Sequence, residues 1–302
     1  KPPELGTGVF AMDTGNSSST EAFTSGFPVD YVLATNPSST SVYNWETGGR
    51  LIQGKYLYTH NNDTEASHAN FDFTSNTGWS KNSGYNSTYQ SWMWKRHAGF
   101  DVVTYTGDGV AGRQINHSMN KAVEMLWVKT RDSTENWIVG HKGLNGGSDP
   151  WDYEIALNSN DEEANNVNKW NDTAPTSSHF TLGNGDAVNK DGDDYIAMLF
   201  STTDVSKVGY YAGNGSTGQT ITTGFQPRFI IIKNIDQSGK AWIVLDTVRG
   251  WASGSDTYLL LNETTAQGTN NFGNPTSTGF YLDGGGSSFN GSGKNYIYYA
   301  HA

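Results

Sequence analysis

The chain has 302 residues, a formal net charge of −11 and no cysteine. Disulfides and thiolate zinc sites are therefore excluded, and hydrophobic cores must hold it together. The acidic balance, with no cluster of Lys and Arg to neutralise phosphates, argues against nucleic-acid binding, and apolar runs of strand length exclude insertion as a membrane-spanning helix.

In chain order, Lys1-Pro2-Pro3-Glu4-Leu5-Gly6 reads as a linker, which suggests a piece of a longer polypeptide. A glycine-punctuated strand pattern then recurs about every 100 residues. The first copy, 1–98, keeps Asp13-Thr14-Gly15, Gly26-Phe27-Pro28, Tyr31 to Asn36, Val42-Tyr43-Asn44-Trp45, Gly49-Arg50, Tyr56-Leu57-Tyr58, Gly78-Trp79 and Ser91-Trp92-Met93-Trp94. The second, 99–204, opens on Tyr105-Thr106-Gly107-Asp108-Gly109 and continues through Met125 to Lys129, Trp137-Ile138-Val139, Tyr153 to Asn158, Phe180 to Gly183 and Tyr195 to Phe200. Its long loops carry nearly all of the acidic excess. The third, 205–302, is the clearest: Tyr211 to Gly215, Gly224-Phe225-Gln226-Pro227, Phe229 to Lys233, Trp242 to Asp246, Arg249-Gly250, Tyr258 to Asn262, Thr276 to Phe280 and Tyr296 to Tyr299.

Each copy thus holds about six short runs rich in Val, Ile, Tyr, Phe and Trp between clusters of Gly, Asn, Asp, Ser and Pro, the pattern of strands joined by turns. Asp161 to Val167 supports at most one helical turn, because no apolar face recurs at helical spacing. Phe229 to Ile232 and Tyr195 to Phe200 are continuously apolar, which predicts burial on both faces. The expected fold is all-β: three tandem antiparallel β-sandwich, jelly-roll-like repeat domains with short junctions that favour packed neighbours.

Chemistry is sparse in this pattern. Asp191-Gly192-Asp193-Asp194 lacks the distal ligands of a calcium loop and reads as a turn; no metal or cofactor is expected. Asp149, Asp152 and Glu154 are the candidates for a glycosidase pair, but no spacing singles them out. His117, His141 and His179 lie in no nucleophile motif, so the chain is expected not to be an enzyme. Asp246 with Arg249-Gly250 is assigned to a structural corner. Trp127, Trp137 and Trp242 sit in repeated strands and belong to a core. Trp151, Trp170 and Trp251 lie in polar loops that differ between copies, beside Asp149 and Asp152 in the first case. Such a tryptophan either stacks on a sugar face or packs against the next domain, and these five residues form the candidate glycan- or partner-binding set.

The string Tyr-x-Gly-x-Gly at 211–215, Gly-Phe-x-Pro-x-Phe-Ile-Ile-Ile-Lys at 224–233, Trp-x-Val-x-Asp-x-x-Arg-Gly at 242–250, Ser-Thr-Gly-Phe at 277–280 and the Ser292 to Ile297 turn and strand resembles a repeat of large virion proteins of marine bacteriophages. The first copy departs from it: Asp13 replaces the aromatic opening, and the Arg-Gly order is lost at Gly49-Arg50. The resemblance implies a tail-fibre-like, non-enzymatic virion structural protein, located on the particle and assembled in the bacterial cytoplasm. Its implied partners are other virion proteins, copies of itself as a trimer by analogy to phage fibres, and host-surface polysaccharide. The alternatives are a lectin-like array of carbohydrate-binding modules and, further off, a polysaccharide-degrading enzyme.

Overall fold

The computed structural model describes residues 5–38 and 44–302; Val42 and Tyr43 of the first copy's strand pattern lie outside them. Repeat 1 contains β1 (Phe10–Thr14), β2 (Phe23–Thr24), β3 (Tyr31–Thr35), β4 (Glu46–Gly49), β5 (Lys55–Tyr58), β6 (Ala66–Ser67), β7 (Gly78–Trp79) and β8 (Gln90–Trp94). Repeat 2 contains β9 (Phe100–Thr106), β10 (Arg113–Asn116), β11 (Met125–Thr130), β12 (Ile138–His141), β13 (Tyr153–Ala156), β14 (Ala164–Asn165), β15 (His179–Leu182) and β16 (Asp194–Phe200), with single-turn helices α1 (Val167–Trp170) and α2 (Asp186–Asn189). Repeat 3 contains β17 (Ser206–Ala212), β18 (Gln219–Thr222), β19 (Phe229–Asn234), β20 (Ile243–Asp246), β21 (Asp256–Leu260), β22 (Gly268–Asn270), β23 (Gly273–Thr276), β24 (Gly279–Leu282) and β25 (Asn295–His301).

The three repeats share one antiparallel topology. A six-stranded sheet takes the strands in the order first, last, third, fourth, fifth, sixth, as in β9-β16-β11-β12-β13-β14. The second and next-to-last strands pair as a smaller outer layer, β2-β7, β10-β15 and β18-β24, to which repeat 3 adds β23. The chain therefore closes end on end, first strand on last and second on next-to-last, which gives each sandwich its jelly-roll-like half. The remaining strands stay in the large sheet as a meander.

The motif glycines have a steric cause. A Cβ on Gly15, Gly107 or Gly213 would run into the backbone of Tyr85, Lys190 or Gly291 respectively, where the segment before the last strand crosses the end of the first. Two residues on, Gly109 and Gly215 adopt φ of +67° and +71°, and Ser17 of the first copy holds φ +61° in the same place. A non-glycine residue in that region costs roughly 1–2 kcal/mol, one local price of the divergence of repeat 1.

Alternation along the third strand distributes its side chains between two cores. Tyr31 and Leu33, Met125 and Trp127, and Phe229 and Ile231 enter one cluster common to all three repeats. Val32 and Ala34, Leu126 and Val128, and Ile230 and Ile232 enter their own repeat's outer core. The continuously apolar runs are thus buried on both faces, one against the small outer layer and the other against the neighbouring repeats.

The common core is closed by cyclically equivalent bonds. The indole N–H of Trp137 donates to the Tyr58 carbonyl of repeat 1 at 2.8 Å, that of Trp242 to the Ala156 carbonyl of repeat 2 at 3.0 Å, and that of Trp45 to the Leu260 carbonyl of repeat 3 at 2.9 Å. A second ring of main-chain bonds runs the other way: Glu65 N–H to Arg131 O at 2.8 Å, Glu163 to Ile235 at 2.9 Å and Gln267 to Pro37 at 2.8 Å. Each link joins unlike surfaces of successive repeats, and three such steps return to the start, so the ring is complete within one chain. Each hydrogen bond contributes only about 1 kcal/mol net, whereas burying a tryptophan is worth several-fold more, so the bonds set register while the aromatic core supplies the cohesion.

Candidate functional site

The loop tryptophans are placed inside the molecule. Trp151 and Trp170 meet edge to face, with centroids 6.4 Å apart, in the outer core of repeat 2, and Trp251 packs on Phe280 in that of repeat 3. Gly140 of β12 makes room for the first pair: a Cβ there would lie 2.6 Å from Trp151 Cζ3 and 3.0 Å from Trp170 Cε2. The expectation that these rings sit in a binding face is corrected accordingly, because a ring less than one-tenth exposed has no face to offer a sugar. Asp149 stays exposed, in a left-handed conformation (φ 45°) before the Pro150–Asp152 turn. Partial burial, then the Asp172 and Asp149 charges, hold the Asp152 carboxyl above its ordinary range.

The acids and histidines raised by the sequence are engaged elsewhere. Asp193 pairs with Lys190 at 3.4 Å, and Asp194 with Arg131 at 3.7 Å. Glu154 pairs with Lys169 at 3.8 Å. His141 is buried where repeat 2 meets repeat 3, its Nε2 facing the Tyr298 carbonyl at 3.4 Å while Nδ1 accepts the Gly143 N–H at 2.9 Å. Burial pushes its pKa down to about 3, so the ring is neutral. His117 and His179 lie instead at the outer layer, both against Thr176. Among the described residues no group of three or more His, Asp or Glu is placed to hold a metal ion, and no helix is long and apolar enough to cross a membrane.

Among the described residues, each repeat presents an outer groove at the same place, beside the fourth and fifth strands. The register makes Glu46, Ile138 and Ile243 equivalent, opposite Ala34, Val128 and Ile232 respectively. On the fifth strand Tyr56, Glu154 and Tyr258 correspond. The repeat 3 groove mixes aromatic and aliphatic walls, Ile243, Tyr258, Leu260, Phe272 and Phe289, with the polar Glu263, Asn270 and Ser288. That of repeat 2 is charged, with Glu135, Glu154, Asp161, Glu162 and Lys169. That of repeat 1 is polar and aromatic, with Glu46, Tyr56, Asn70, Asn82, Tyr85 and Tyr89 among its walls and His68 at its side. Glu154 apart, composition and motif did not single out these lining residues as a site. The signal for one of them lay in the copies themselves, where Glu46 stands in the position of two isoleucines.

The seams between repeats diverge in the same way. Glu65 forms a two-pronged pair with Arg131 across the first seam, Nε to Oε2 at 2.5 Å and Nη2 to Oε1 at 3.1 Å. At the second seam Ile235 replaces the arginine, and among the described residues the Glu163 carboxylate accepts only the Asn145 N–H, at its Oε2, at 2.6 Å. Burial, reinforced by the Asp236 charge, pushes the Glu163 pKa up to about 7. The folded chain therefore holds this proton more tightly than the unfolded chain between about pH 4.5 and 7, and the Glu163 contribution to stability is lost as pH rises through that window. Glu163→Gln is expected to melt above the wild type at pH 8, with the gap closing near pH 5, as followed by circular dichroism. A gap that stays constant with pH would rule the carboxyl out as its source.

The fold and grooves define a class: a cysteine-free, three-repeat β-sandwich protein with one shared aromatic core and three unlike outer grooves. A family model described as "Domain of unknown function (DUF7483)" matches residues 9–302, and the chain belongs to that family. No curated protein matches it.

Proposed function

We propose that the chain is a non-enzymatic structural segment of a bacteriophage appendage, a preassembled block whose outer surface meets the host. The observation that carries this reading is the cyclic closure of three repeats about one core, which supplies within a single chain the threefold block that a fibre otherwise builds from three. The phage-like repeat motifs at 211–233 and 242–250 support it, and the unlike grooves fit a constant frame with variable surface. On this reading other virion proteins adjoin the block, and the purified chain of 32.9 kDa is expected to scatter light as a monomer, in place of the trimer expected by analogy to phage fibres. Antibody raised against the purified chain is expected to label an appendage of purified particles in electron micrographs; particles that bear no label would overturn the reading. The lectin-like alternative draws its support from the repeat 1 groove.

A further inference from the structure

We infer that the repeat 1 groove is a pocket for one neutral pyranose unit of a surface polysaccharide, an inference that rests on the host-facing role proposed above and names its ligand.

The argument is a comparison of equivalent positions. The same main-chain bond identifies Tyr85, Asn189 and Asn290: Ser17 N–H donates to Tyr85 O at 3.0 Å, Gly109 to Asn189 at 2.8 Å and Gly215 to Asn290 at 2.9 Å. In repeats 2 and 3 the asparagine is fully buried and its amide ties the loop. Asn189 Nδ2 donates to Gly183 O, Val110 O and Asp108 Oδ1, and Asn290 Nδ2 to Gly284 O, Ser216 O and Asn214 Oδ1. Repeat 1 gives up this tie. Its Tyr85 instead sends the hydroxyl to Glu46 Oε2 at 2.6 Å, and Glu46 is the carboxylate that replaced an isoleucine. The two exchanges meet in one groove and depend on each other, since a carboxylate half-withdrawn from water requires a donor.

The result has the chemistry of a sugar site. Tyr56 is held flat on Phe71, centroids 5.0 Å apart and planes 13° from parallel, and Tyr89 stands edge to face with Tyr85 at 5.0 Å. Rings fixed in this way present apolar surface to the C–H face of a pyranose at little entropic cost. Among the described residues Glu46 Oε1 accepts no hydrogen bond, and Asn70 and Asn82 line the same cavity, which adds polar groups to its walls. The cavity measures about 140 Å³, the scale of a single sugar ring. A sugar acid is disfavoured because its carboxylate would face Glu46. Repeat 2's groove, with its four acids, has no aromatic wall, and repeat 3's, with Tyr258, Phe272 and Phe289 beside Glu263 and Asn270, holds Ile243 where repeat 1 has Glu46 and so lacks the Glu–Tyr pair.

The test is titration of the full chain with the methyl glycosides of glucose, galactose, mannose and N-acetylglucosamine, and with methyl glucuronide, read by saturation-transfer NMR. At least one neutral glycoside is expected to bind in preference to the glucuronide. Glu46→Ile, which restores the residue of the other copies, and the conservative Tyr85→Phe are each expected to weaken it at least about tenfold. Tyr258→Ala in the repeat 3 groove is expected to leave it unchanged. Binding of no neutral glycoside, preference for the glucuronide, or affinity that survives both repeat 1 substitutions would overturn the proposal. The two readings fail separately: unlabelled particles with intact glycoside binding sink the appendage, and labelled particles with no binding sink the pocket.

Discussion

Replacing Asp246 by alanine is expected to destabilise the whole chain by about 3–5 kcal/mol, the usual result of removing one partner of a buried ion pair. The Asp246 carboxylate is fully buried and accepts three bonds: from Arg249 Nε at 2.6 Å, from the Arg249 main-chain N–H at 2.8 Å, and from the Trp92 indole of repeat 1 at 3.1 Å. The guanidinium also lies over the Trp92 ring, 5.3 Å from its centroid. Among the described residues, Nη1 and Nη2 of Arg249 are buried with no hydrogen-bond partner, so the carboxylate is this cation's principal compensation. Alanine strands a charge and an indole N–H together at the seam between repeats 3 and 1. In a chain of this size the loss corresponds to a drop of roughly 5–8 °C in melting temperature by calorimetry. Asp246→Leu combined with Arg249→Met, which removes both charges, is expected to recover much of it. An Asp246→Ala protein that melts with the wild type would show that the pair does not hold the seam. The corner assigned to these residues from sequence is thus an inter-repeat joint as well as a local turn.

The second large effect concerns cooperativity. Residues 99–204 expressed alone are expected not to fold, although they carry a full set of eight strands. Without repeats 1 and 3, the inner face of the large sheet would expose Phe100, Trp127, Trp137, Met198 and Phe200 to water together. Full burial of such a side chain is worth about 1.5–3 kcal/mol, so five of them outweigh the net stability of a typical domain of about 5–15 kcal/mol at its lower end. The intact chain is correspondingly expected to unfold in one calorimetric transition. Three resolved transitions, or a soluble isolated repeat 2 with native near-ultraviolet dichroism, would mean that the shared core is dispensable.

Much of the architecture was legible before any coordinates. The strands read from Tyr31 to Asn36, Met125 to Lys129 and Phe229 to Lys233 occupy equivalent places in their sheets, and the continuous apolar runs are buried on both faces. Asp161 to Val167, read as at most one helical turn, carries strand β14 at Ala164–Asn165 instead, and the four-residue helix α1 comes after it at Val167–Trp170. The site was less legible. Trp151, Trp170 and Trp251 sit in polar loops, but Gly140 opens a gap in the sheet that draws the first two inward, and that gap exists only once β12 is paired. Conversely Glu46, Tyr56 and Tyr85, spread over 40 residues, become one groove wall only when β4, β5 and the segment before β8 come together.

The sequence by itself determined the repeat, the strand content and the two-faced burial, because periodicity, turn residues and glycine spacing are local properties. Only the tertiary structure decided how the second face is covered, which seams carry Arg131, Ile235 or Pro37, and which groove gathers its polar groups. Those outcomes depend on contacts between residues as distant as Trp45 and Leu260, and the chain encodes them through three-dimensional closure rather than through any neighbouring pattern.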